Sequence, residues 1–241
     1  MMHKETQNIV LLLAGGVGSR ISDKCPKQFI EIDGESVLLH TMRAFQQHPD
    51  IAGIYVVCAL KWEDYVKGQA SKGGIVKFKG TFVSGATAAM SIRNGLTGLM
   101  SLYAMEQEET VVLVHDAVRP FVNYEIIGRN IQVCQEKGNA ITAIYSNEAY
   151  MLTHDGIQSD RGIAREELMR AQTPQTFYLK DLDGIMQKTK ELEIEDFQSL
   201  YTLCLEVGYG PLFVAKGDSL NFKLTEPKDI KIYQALKDII F

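Results

Sequence analysis

A short apolar run followed at once by glycines is the feature that most constrains the fold of this chain. Residues 9–13 are Ile-Val-Leu-Leu-Leu, and Gly15, Gly16 and Gly18 come directly after them. A run this short and this rich in branched residues is typical of a strand buried in a parallel sheet. Glycine allows positive φ and close approach of main-chain N–H groups to an anion, so the following loop is a candidate phosphate cradle. The alternative is a turn that needs its glycines for geometry alone.

Strand and helix patterns alternate along most of the chain. Further short apolar runs predict strands at residues 54–59, 111–114, 140–144 and 211–215. Apolar residues spaced three or four apart predict helices at 37–46, 62–69, 87–102, 124–136 and 228–240. This alternation predicts an α/β fold with a doubly wound, mostly parallel sheet.

Residues 147–165 interrupt the alternation. They are mostly polar, and a His-Asp-Gly turn signal at 154–156 lies between Tyr-Met-Leu at 150–152 and Ile157. This pattern predicts a β-hairpin arm that leaves the sheet and has little apolar surface of its own. Because no linker rich in Pro, Gly or Ser divides the chain, residues 1–241 are predicted to form a single domain that includes this arm.

Composition excludes several classes of function. With 241 residues, 46% of them hydrophobic, the chain can bury a full core. Its net charge of −5 disfavours general binding to nucleic acid or to an anionic membrane surface. No window reaches the ~18 apolar residues of a membrane span, and the first seven residues are polar, so we expect a cytoplasmic protein. The four cysteines form no C-x-x-C pair, which disfavours a zinc knuckle or a disulfide scaffold.

Two cations flank the glycine loop. Arg20 ends the loop, and Lys27 follows seven residues later within Pro-Lys-Gln. Cations on opposite sides of a phosphate cradle could hold a triphosphate, although lone surface charges are the alternative. A dinucleotide-binding fold is disfavoured, because it requires G-x-G-x-x-G and an acidic residue about 20 positions later. The Gly-Lys-Ser or Gly-Lys-Thr of a P-loop does not occur.

These motifs resemble the cytidylyltransferases that make CDP-methylerythritol and their relatives that make CDP-ribitol. The first matching block is Ala-Gly-Gly-Val-Gly-Ser-Arg at 14–20 with Pro-Lys-Gln at 26–28. The later blocks are Ser-Gly at 84–85 with Ser-Ile-Arg-Asn-Gly-Leu at 91–96, Val-His-Asp-Ala-Val-Arg-Pro-Phe at 114–121, Arg165 with Ala-Gln-Thr-Pro-Gln-Thr-Phe at 171–177, and Asn-Phe-Lys-Leu-Thr at 221–225 with Pro227. The last two blocks resemble the family's arm, the turn after it and its final substrate loop. Because the blocks keep the family's order from first strand to last helix, the resemblance covers essentially the whole chain.

The resemblance implies a Rossmann-like nucleotidyltransferase fold and a Mg²⁺-dependent reaction. CMP would pass from CTP to 2-C-methyl-D-erythritol 4-phosphate or D-ribitol 5-phosphate, with release of pyrophosphate. The implied partners are these two substrates and a second copy of the chain, joined through the arm at 147–165, with no nucleic acid and no membrane.

The resemblance also assigns roles to individual residues. Arg20 and Lys27 would be catalytic, stabilising charge on the α-phosphate. Asp116 would bind magnesium or substrate, although a turn or capping role is the alternative. Arg165, reaching across from a partner's arm, and Lys223 would hold the acceptor's phosphate. The implied nucleotide-binding residues are Leu13, Ala14, Gly15, Gly16, Gly18, Gly85 and Ser91, the last two selecting cytosine.

A further histidine, His115, invites a general-base role. A phosphate acceptor is already ionised near neutral pH, so we interpret His115 as structural.

Three departures from the family pattern fall near the substrates. Ala88 stands where the family has an arginine, Glu148-Ala149 where it has Asp-Thr, and Glu195-Asp196-Phe197 where it has Thr-Asp-Glu. Val118, Trp62 and the Ala-Gly-Gly at 14–16, with the longer segment before the strand at 111, favour the ribitol branch, and the methylerythritol branch stays open. Two alternatives remain: a nucleotidyltransferase for another nucleotide or sugar phosphate, and a degenerate member that binds nucleotide or serves as a partner-binding scaffold without turnover.

Overall fold

The computed structural model describes residues 6–16 and 25–240, with side chains as far as residue 237. Its strands are β1 Gln7–Leu13, β2 Glu31–Ile32, β3 Glu35–Ser36, β4 Ile51–Cys58, β5 Phe78–Val83, β6 Thr110–Asp116, β7 Asn139–Tyr145, β8 Tyr150–Leu152, β9 Arg161–Ile163, β10 Met169–Tyr178 and β11 Val214–Lys216. Its α-helices are α1 Val37–Gln47, α2 Glu63–Lys72, α3 Ala88–Leu102, α4 Tyr124–Lys137, α5 Leu179–Glu191, α6 Leu200–Glu206 and α7 Pro227–Ile240. Every strand and helix predicted from the sequence is present, with ends that differ by up to three residues.

One large sheet organises the part of the chain that the structure describes. Its strand order is β5-β4-β1-β6-β10-β7-β11. Neighbouring strands are parallel except at β10, which runs antiparallel to both β6 and β7. The prediction of a doubly wound, mostly parallel α/β sheet is confirmed.

The two faces of the sheet bury separate hydrophobic clusters because successive side chains of a strand point in opposite directions. In β1, Val10 and Leu12 join the cluster beneath α1, α2 and α4. Ile9 and Leu11 join the cluster beneath α3, α5 and α6. All four side chains are fully buried, as the continuous apolar run predicted.

The chain reverses its direction of sheet growth at β1. It adds β4 and β5 on one side of β1, then returns to place β6 on the other side. In open α/β sheets the crevice at the carboxyl ends of strands beside such a switch point is where ligands bind. The glycine loop after β1 and Asp116 at the end of β6 both lie at this edge.

The interpretation of residues 171–177 as a turn was wrong. They lie inside β10, which occupies an interior position of the sheet between β6 and β7. Pro174 has no N–H to donate to the sheet, and the pairing with β7 shifts register between Ala171 and Gln175. A proline in a sequence disfavours an interior strand. The bulge that accommodates Pro174 depends on how β10 pairs with β7, which the sequence alone does not reveal.

The arm at 147–165 is a hairpin, as predicted. Strands β8 and β9 pair antiparallel, and the Asp155 carboxylate accepts hydrogen bonds from the N–H groups of Ile157 and Gln158 at 2.9 and 3.1 Å. Gly156 adopts a φ of 74° in this turn, which favours glycine. The expectation of little apolar surface was wrong, because Met151 is 72% exposed and Ile157 89% exposed.

Membrane-spanning helices are absent from the described residues, where no helix is both long and apolar enough to cross a bilayer.

Candidate active site

A cleft of about 510 Å³ opens at the carboxyl ends of the central strands. We call it the main cleft and define it by the residues after β1, β4 and β5, the end of β6 and the loop before α7. It gathers eight of the predicted site residues: Leu13, Gly15, Gly16, Lys27, Gly85, Ser91, Asp116 and Lys223. Ala14 is buried directly beneath it. Gly18 and Arg20 lie outside the described residues.

The glycine loop passes close to the segment that follows β5. A side chain at Gly15 would place its Cβ 2.5 Å from the Cβ of Ser84 and 3.0 Å from the Ser91 hydroxyl. Among the described residues, a Cβ built at Gly16 would have no atom within 4 Å. Within residues 6–16 and 25–240, the N–H groups of Gly15 and Gly16 have no hydrogen-bond partner. Gly15 therefore allows the close approach, and the loop presents donors suited to an anion.

Gln28 secures this loop, a role that the sequence interpretation missed. Its amide nitrogen donates to the carbonyl of Ala14 at 2.5 Å and to that of Gly16 at 2.9 Å. The side chain is almost completely buried. The Pro-Lys-Gln motif indicates this role of Gln28. A glutamine beside the glycine loop can donate to main-chain carbonyls, while the neighbouring Lys27 lines the cleft.

The segment between β5 and α3 forms the opposite wall. The hydroxyl of Thr87 caps α3 by accepting a hydrogen bond from the N–H of Met90 at 3.1 Å. Ser91 accepts from the N–H of Gly85 at 3.1 Å and donates to the carbonyl of Thr87 at 2.9 Å. Because its hydrogen is already donated within the protein, Ser91 shapes the loop, and its predicted direct bond to cytosine would have to use the remaining lone pair.

Asp116 lies at the floor of the main cleft between two cations. One carboxylate oxygen accepts from Lys223 Nζ at 3.0 Å, and the other from Arg119 Nε at 2.9 Å. Burial by itself would raise the pKa of Asp116, but Lys223 and Arg119 outweigh burial and hold that pKa well below its usual range. Arg119 also donates to the carbonyl of Asn221, which ties β6 to the loop that carries Lys223. Asp116 is ionised throughout the working pH range.

His115 is structural, as interpreted from the sequence. Its Nε2 lies 3.3 Å from the carbonyl of Arg119 and its Nδ1 lies 3.0 Å from the hydroxyl of Thr173. A carbonyl can only accept, so Nε2 carries the proton and Nδ1 accepts from Thr173. The same Thr173 oxygen accepts from the N–H of Asp116 at 3.1 Å. His115 thus orients Asp116 through Thr173.

Acid should destabilise the fold through His115. Burial lowers the pKa of His115 to about 3, whereas an unfolded chain returns the imidazole to a pKa near 6.5. Below pH 6.5, His115 binds a proton in the unfolded chain but stays neutral in the folded protein. The free energy of unfolding therefore falls as the pH falls. Between pH 7 and pH 5 this effect amounts to about 2 kcal/mol of unfolding free energy.

Urea denaturation at the two pH values measures this loss. In His115→Gln, whose amide keeps a donor and an acceptor, the pH dependence should shrink by about 2 kcal/mol. His154→Gln in the exposed arm should leave it unchanged. An identical pH dependence in wild type and His115→Gln would contradict the assignment.

Arg165 does not line the main cleft of its own chain. It is exposed in a short 3-10 turn, Arg165–Glu167, beside a shallow depression formed with Tyr145, Ser146 and Asn147. Its predicted contact with the acceptor's phosphate therefore depends on a partner subunit and stays a prediction.

The donor set of the main cleft suits a magnesium ion that is shared with a nucleotide. The described residues contain no cluster of three or more His, Cys, Asp or Glu side chains that could hold a metal alone. Mg²⁺ on nucleotide substrates uses one or two carboxylates and otherwise phosphate and water oxygens. Asp116 provides one ionised carboxylate at the edge of the phosphate cradle, so the residues fit this mode of binding.

The fold and the site together define a class of protein. A doubly wound sheet with a glycine cradle, facing cations and one carboxylate at its switch point is the arrangement of a nucleotidyltransferase. A family model for 2-C-methyl-D-erythritol 4-phosphate cytidylyltransferase (IspD) matches residues 8–238. The chain belongs to this family, and it is therefore a cytidylyltransferase.

Individual relatives extend over the same length. The chain is 34% identical over 232 residues to the ribitol-5-phosphate cytidylyltransferase of Streptococcus agalactiae serotype Ia, covering 96% of this chain and 95% of the relative. It is 34% identical over 231 residues to the 2-C-methyl-D-erythritol 4-phosphate cytidylyltransferase of Rubrobacter xylanophilus, covering 95% and 94%. Its fold matches the 4-diphosphocytidyl-2C-methyl-D-erythritol synthase of Anaerococcus prevotii with a TM-score of 0.78 at 24% identity, covering 97% and 96%.

Proposed function

We propose that the protein transfers CMP from CTP to the phosphate of a sugar alcohol, with Mg²⁺ and release of pyrophosphate. One observation carries the proposal: Gly15, Gly16, Lys27, Asp116 and Lys223, from four separate segments, line a single cleft. The glycine N–H groups suit the triphosphate, and Lys27 suits the charge that develops on the α-phosphate. Arg20 is proposed to act beside Lys27.

The chemistry requires positioning and charge, and it needs no covalent intermediate. An oxygen of the acceptor's phosphate attacks the α-phosphorus of CTP in line as the bond to the β-phosphate oxygen breaks. Pyrophosphate leaves with that oxygen, so the new bond replaces the old one and no proton transfer to the protein is required. His115 cannot assist as a base, because both its ring nitrogens are occupied within the protein.

Asp116 would hold the magnesium ion that accompanies CTP. Bound magnesium would supply electrostatic stabilisation of the phosphates. Lys223 contacts Asp116 on one side and is partly exposed to the cleft on the other, so it can bind the acceptor's phosphate next to the nucleotide. Arg165 of a partner's arm would hold the same phosphate.

The acceptor is proposed to be D-ribitol 5-phosphate or 2-C-methyl-D-erythritol 4-phosphate. Relatives with both names match the chain at 34% identity over nearly its full length, so identity alone does not choose between them. Val118, one of the residues that favours ribitol, lines the main cleft, whereas Trp62 packs against Phe29 beside it. We therefore expect ribitol 5-phosphate to be used at least as well as methylerythritol phosphate.

Pyrophosphate release from each nucleoside triphosphate, measured against a panel of acceptors, tests the proposal. We expect CTP to exceed UTP, because a buried mismatch costs roughly 1–3 kcal/mol. We expect the two polyol phosphates to lead the panel and unphosphorylated ribitol to be inactive. Faster reaction of sugar 1-phosphates would overturn the acceptor class. Tight CTP binding without turnover by any acceptor would instead favour the degenerate alternative.

A homodimer joined through the arm at 147–165 is also part of the proposal. Tyr150, Met151 and Ile157 expose large apolar surfaces on a hairpin whose strands are three residues long. Such a small hairpin is marginally stable unless another surface packs against it. Sedimentation at micromolar concentration should therefore give twice the chain mass of 27.0 kDa.

Substitution of Met151 and Ile157 together by aspartate should convert the dimer to monomers and reduce turnover. The control is Met105→Asp, at a residue that is 86% exposed outside the arm. A wild-type monomer with full activity would rule out the dimer.

A cytoplasmic location is proposed from the cysteines and the substrate class. None of Cys25, Cys58, Cys134 and Cys204 forms a disulfide bond. Burial raises the pKa of Cys58 to about 11 and those of Cys134 and Cys204 to about 12, so these three are unreactive core residues. Cysteines without disulfide bonds are typical of a reducing compartment.

A further inference from the structure

A second, smaller cavity of about 160 Å³ adjoins the main cleft at Asp116. We call it the side pocket. Leu13, Ala88, Asp116 and Lys223 line both spaces, so the two are adjacent. The far wall of the side pocket is formed by residues that precede and begin α6, including Gln198 and Tyr201. None of these far-wall residues belongs to the motifs that carry the family resemblance.

Two polar groups on the far wall have no hydrogen-bond partner among the residues that the structure describes. Gln198 is an exposed residue that lines the side pocket, and its amide makes no hydrogen bond to any residue within 6–16 and 25–240. The hydroxyl of Tyr201 likewise has no partner in those ranges, although its main-chain N–H donates to Gln175 at 3.0 Å. An amide and a phenol that are both available can each donate to and accept from a hydroxyl group.

The segment that carries Gln198 is held on both sides. Before it, Phe197 is buried, and the Arg93 guanidinium lies 5.6 Å from the centre of its ring while donating to the carbonyl of Ile194. After it, Ser199 forms a capping box with Thr202 at the start of α6. Phe197, which departs from the family pattern, thus anchors the wall of the side pocket. Gln198 is presented from a fixed backbone.

We propose that Gln198 and Tyr201 determine acceptor specificity by binding the hydroxyl groups of the polyol furthest from its phosphate. This inference rests on the proposed function. The acceptor's phosphate must lie in the main cleft, where it can reach the α-phosphorus of CTP, and Lys223 stands at the junction of the two spaces. The remainder of the acceptor then extends into the side pocket. A linear polyol presents a terminal hydroxyl there that a shorter or deoxygenated acceptor lacks.

Acceptor analogues combined with single substitutions test the inference. The acceptor is whichever of the two polyol phosphates wild type uses better, and its analogue lacks the hydroxyl furthest from the phosphate. The enzymes are wild type, Gln198→Ala, Tyr201→Phe and a control, Gln132→Ala, which alters a glutamine on the exposed side of α4. For each enzyme kcat/KM is measured for both acceptors, together with KM for CTP.

Wild type and the control should prefer the complete acceptor by about tenfold, the net worth of one hydrogen bond. In at least one of the two pocket variants that preference should fall to about twofold or less, with KM for CTP unchanged. Preference ratios equal to wild type in both variants would overturn the inference alone, because CMP transfer would still occur. No CMP transfer by wild type to any polyol phosphate would overturn the proposed function and the inference with it.

Discussion

Lys27→Ala is expected to lower kcat by about 10²-fold while changing the Kd for CTP much less. Lys27 lines the main cleft at the start of a 3-10 turn that Pro26 precedes, so its position relative to the glycine loop is set by the backbone. Negative charge builds up on the α-phosphate as the acceptor attacks. A preorganised cation is therefore worth more in the transition state than in the bound ground state, and its loss costs on the order of 10²-fold.

Single-turnover CMP transfer and equilibrium CTP binding, measured on the same preparations, separate the two effects. Lys188→Ala, an exposed lysine of α5 on the far side of the sheet from α1 and α2, is the matched control and should keep wild-type values. Arg20→Ala should resemble Lys27→Ala if both cations flank the triphosphate as the sequence predicts. If Lys27→Ala lost CTP affinity but kept kcat, Lys27 would bind CTP in the ground state and would not stabilise the transition state.

Asp116→Asn is expected to reduce kcat/KM by about 10²-fold or more at neutral pH. The substitution keeps the shape of the side chain but leaves Lys223 and Arg119 without the anion that lies 3.0 and 2.9 Å from them. Neutralising a partly buried carboxylate is costly because the cations that contact it are left uncompensated. The amide is also a poor ligand for Mg²⁺, which prefers carboxylate oxygens.

Magnesium titration distinguishes a loss of metal binding from a loss of packing. Asp116→Asn should require a higher Mg²⁺ concentration for half-maximal activity, whereas a purely structural defect would lower activity equally at all concentrations. The control is Asp183→Asn on α5, which should behave as wild type. Among the described residues, the Asp183 carboxylate accepts a side-chain hydrogen bond only from Gln187. Unchanged activity in Asp116→Asn would contradict a functional role for this carboxylate.

Much of the main cleft could be predicted because its residues come directly after strands. Gly15 and Gly16 follow β1, and Asp116 ends β6. Since the carboxyl ends of neighbouring parallel strands meet at one edge, local patterns were enough to bring these residues together. Gly85 and Ser91 were predicted from the family motif, and their positions in the cleft agree, although the hydroxyl of Ser91 bonds to its own loop.

Other parts of the site depend on contacts between distant segments. Gln28 holds the glycine loop through two carbonyls, and Thr173 links His115 to the main chain of Asp116 across 57 positions of sequence. Neither contact has a periodic signature. Thr173 lies in β10, where the sequence did not predict a strand because of Pro174. The bulge opposite β7 accommodates that proline.

The sequence by itself determined the alternation of strands and helices, the glycine loop and the family, because each follows from local spacing or from motifs that keep the family's order along the chain. The tertiary structure decided which side chains are available for substrate. In the folded chain Lys223 contacts Asp116, and Arg165 lies outside the cleft of its own chain. Gln198 and Tyr201 line the side pocket beside the site. The physical reason is that a side chain's availability depends on which neighbours satisfy its hydrogen bonds, and those neighbours are set by packing between segments far apart in sequence.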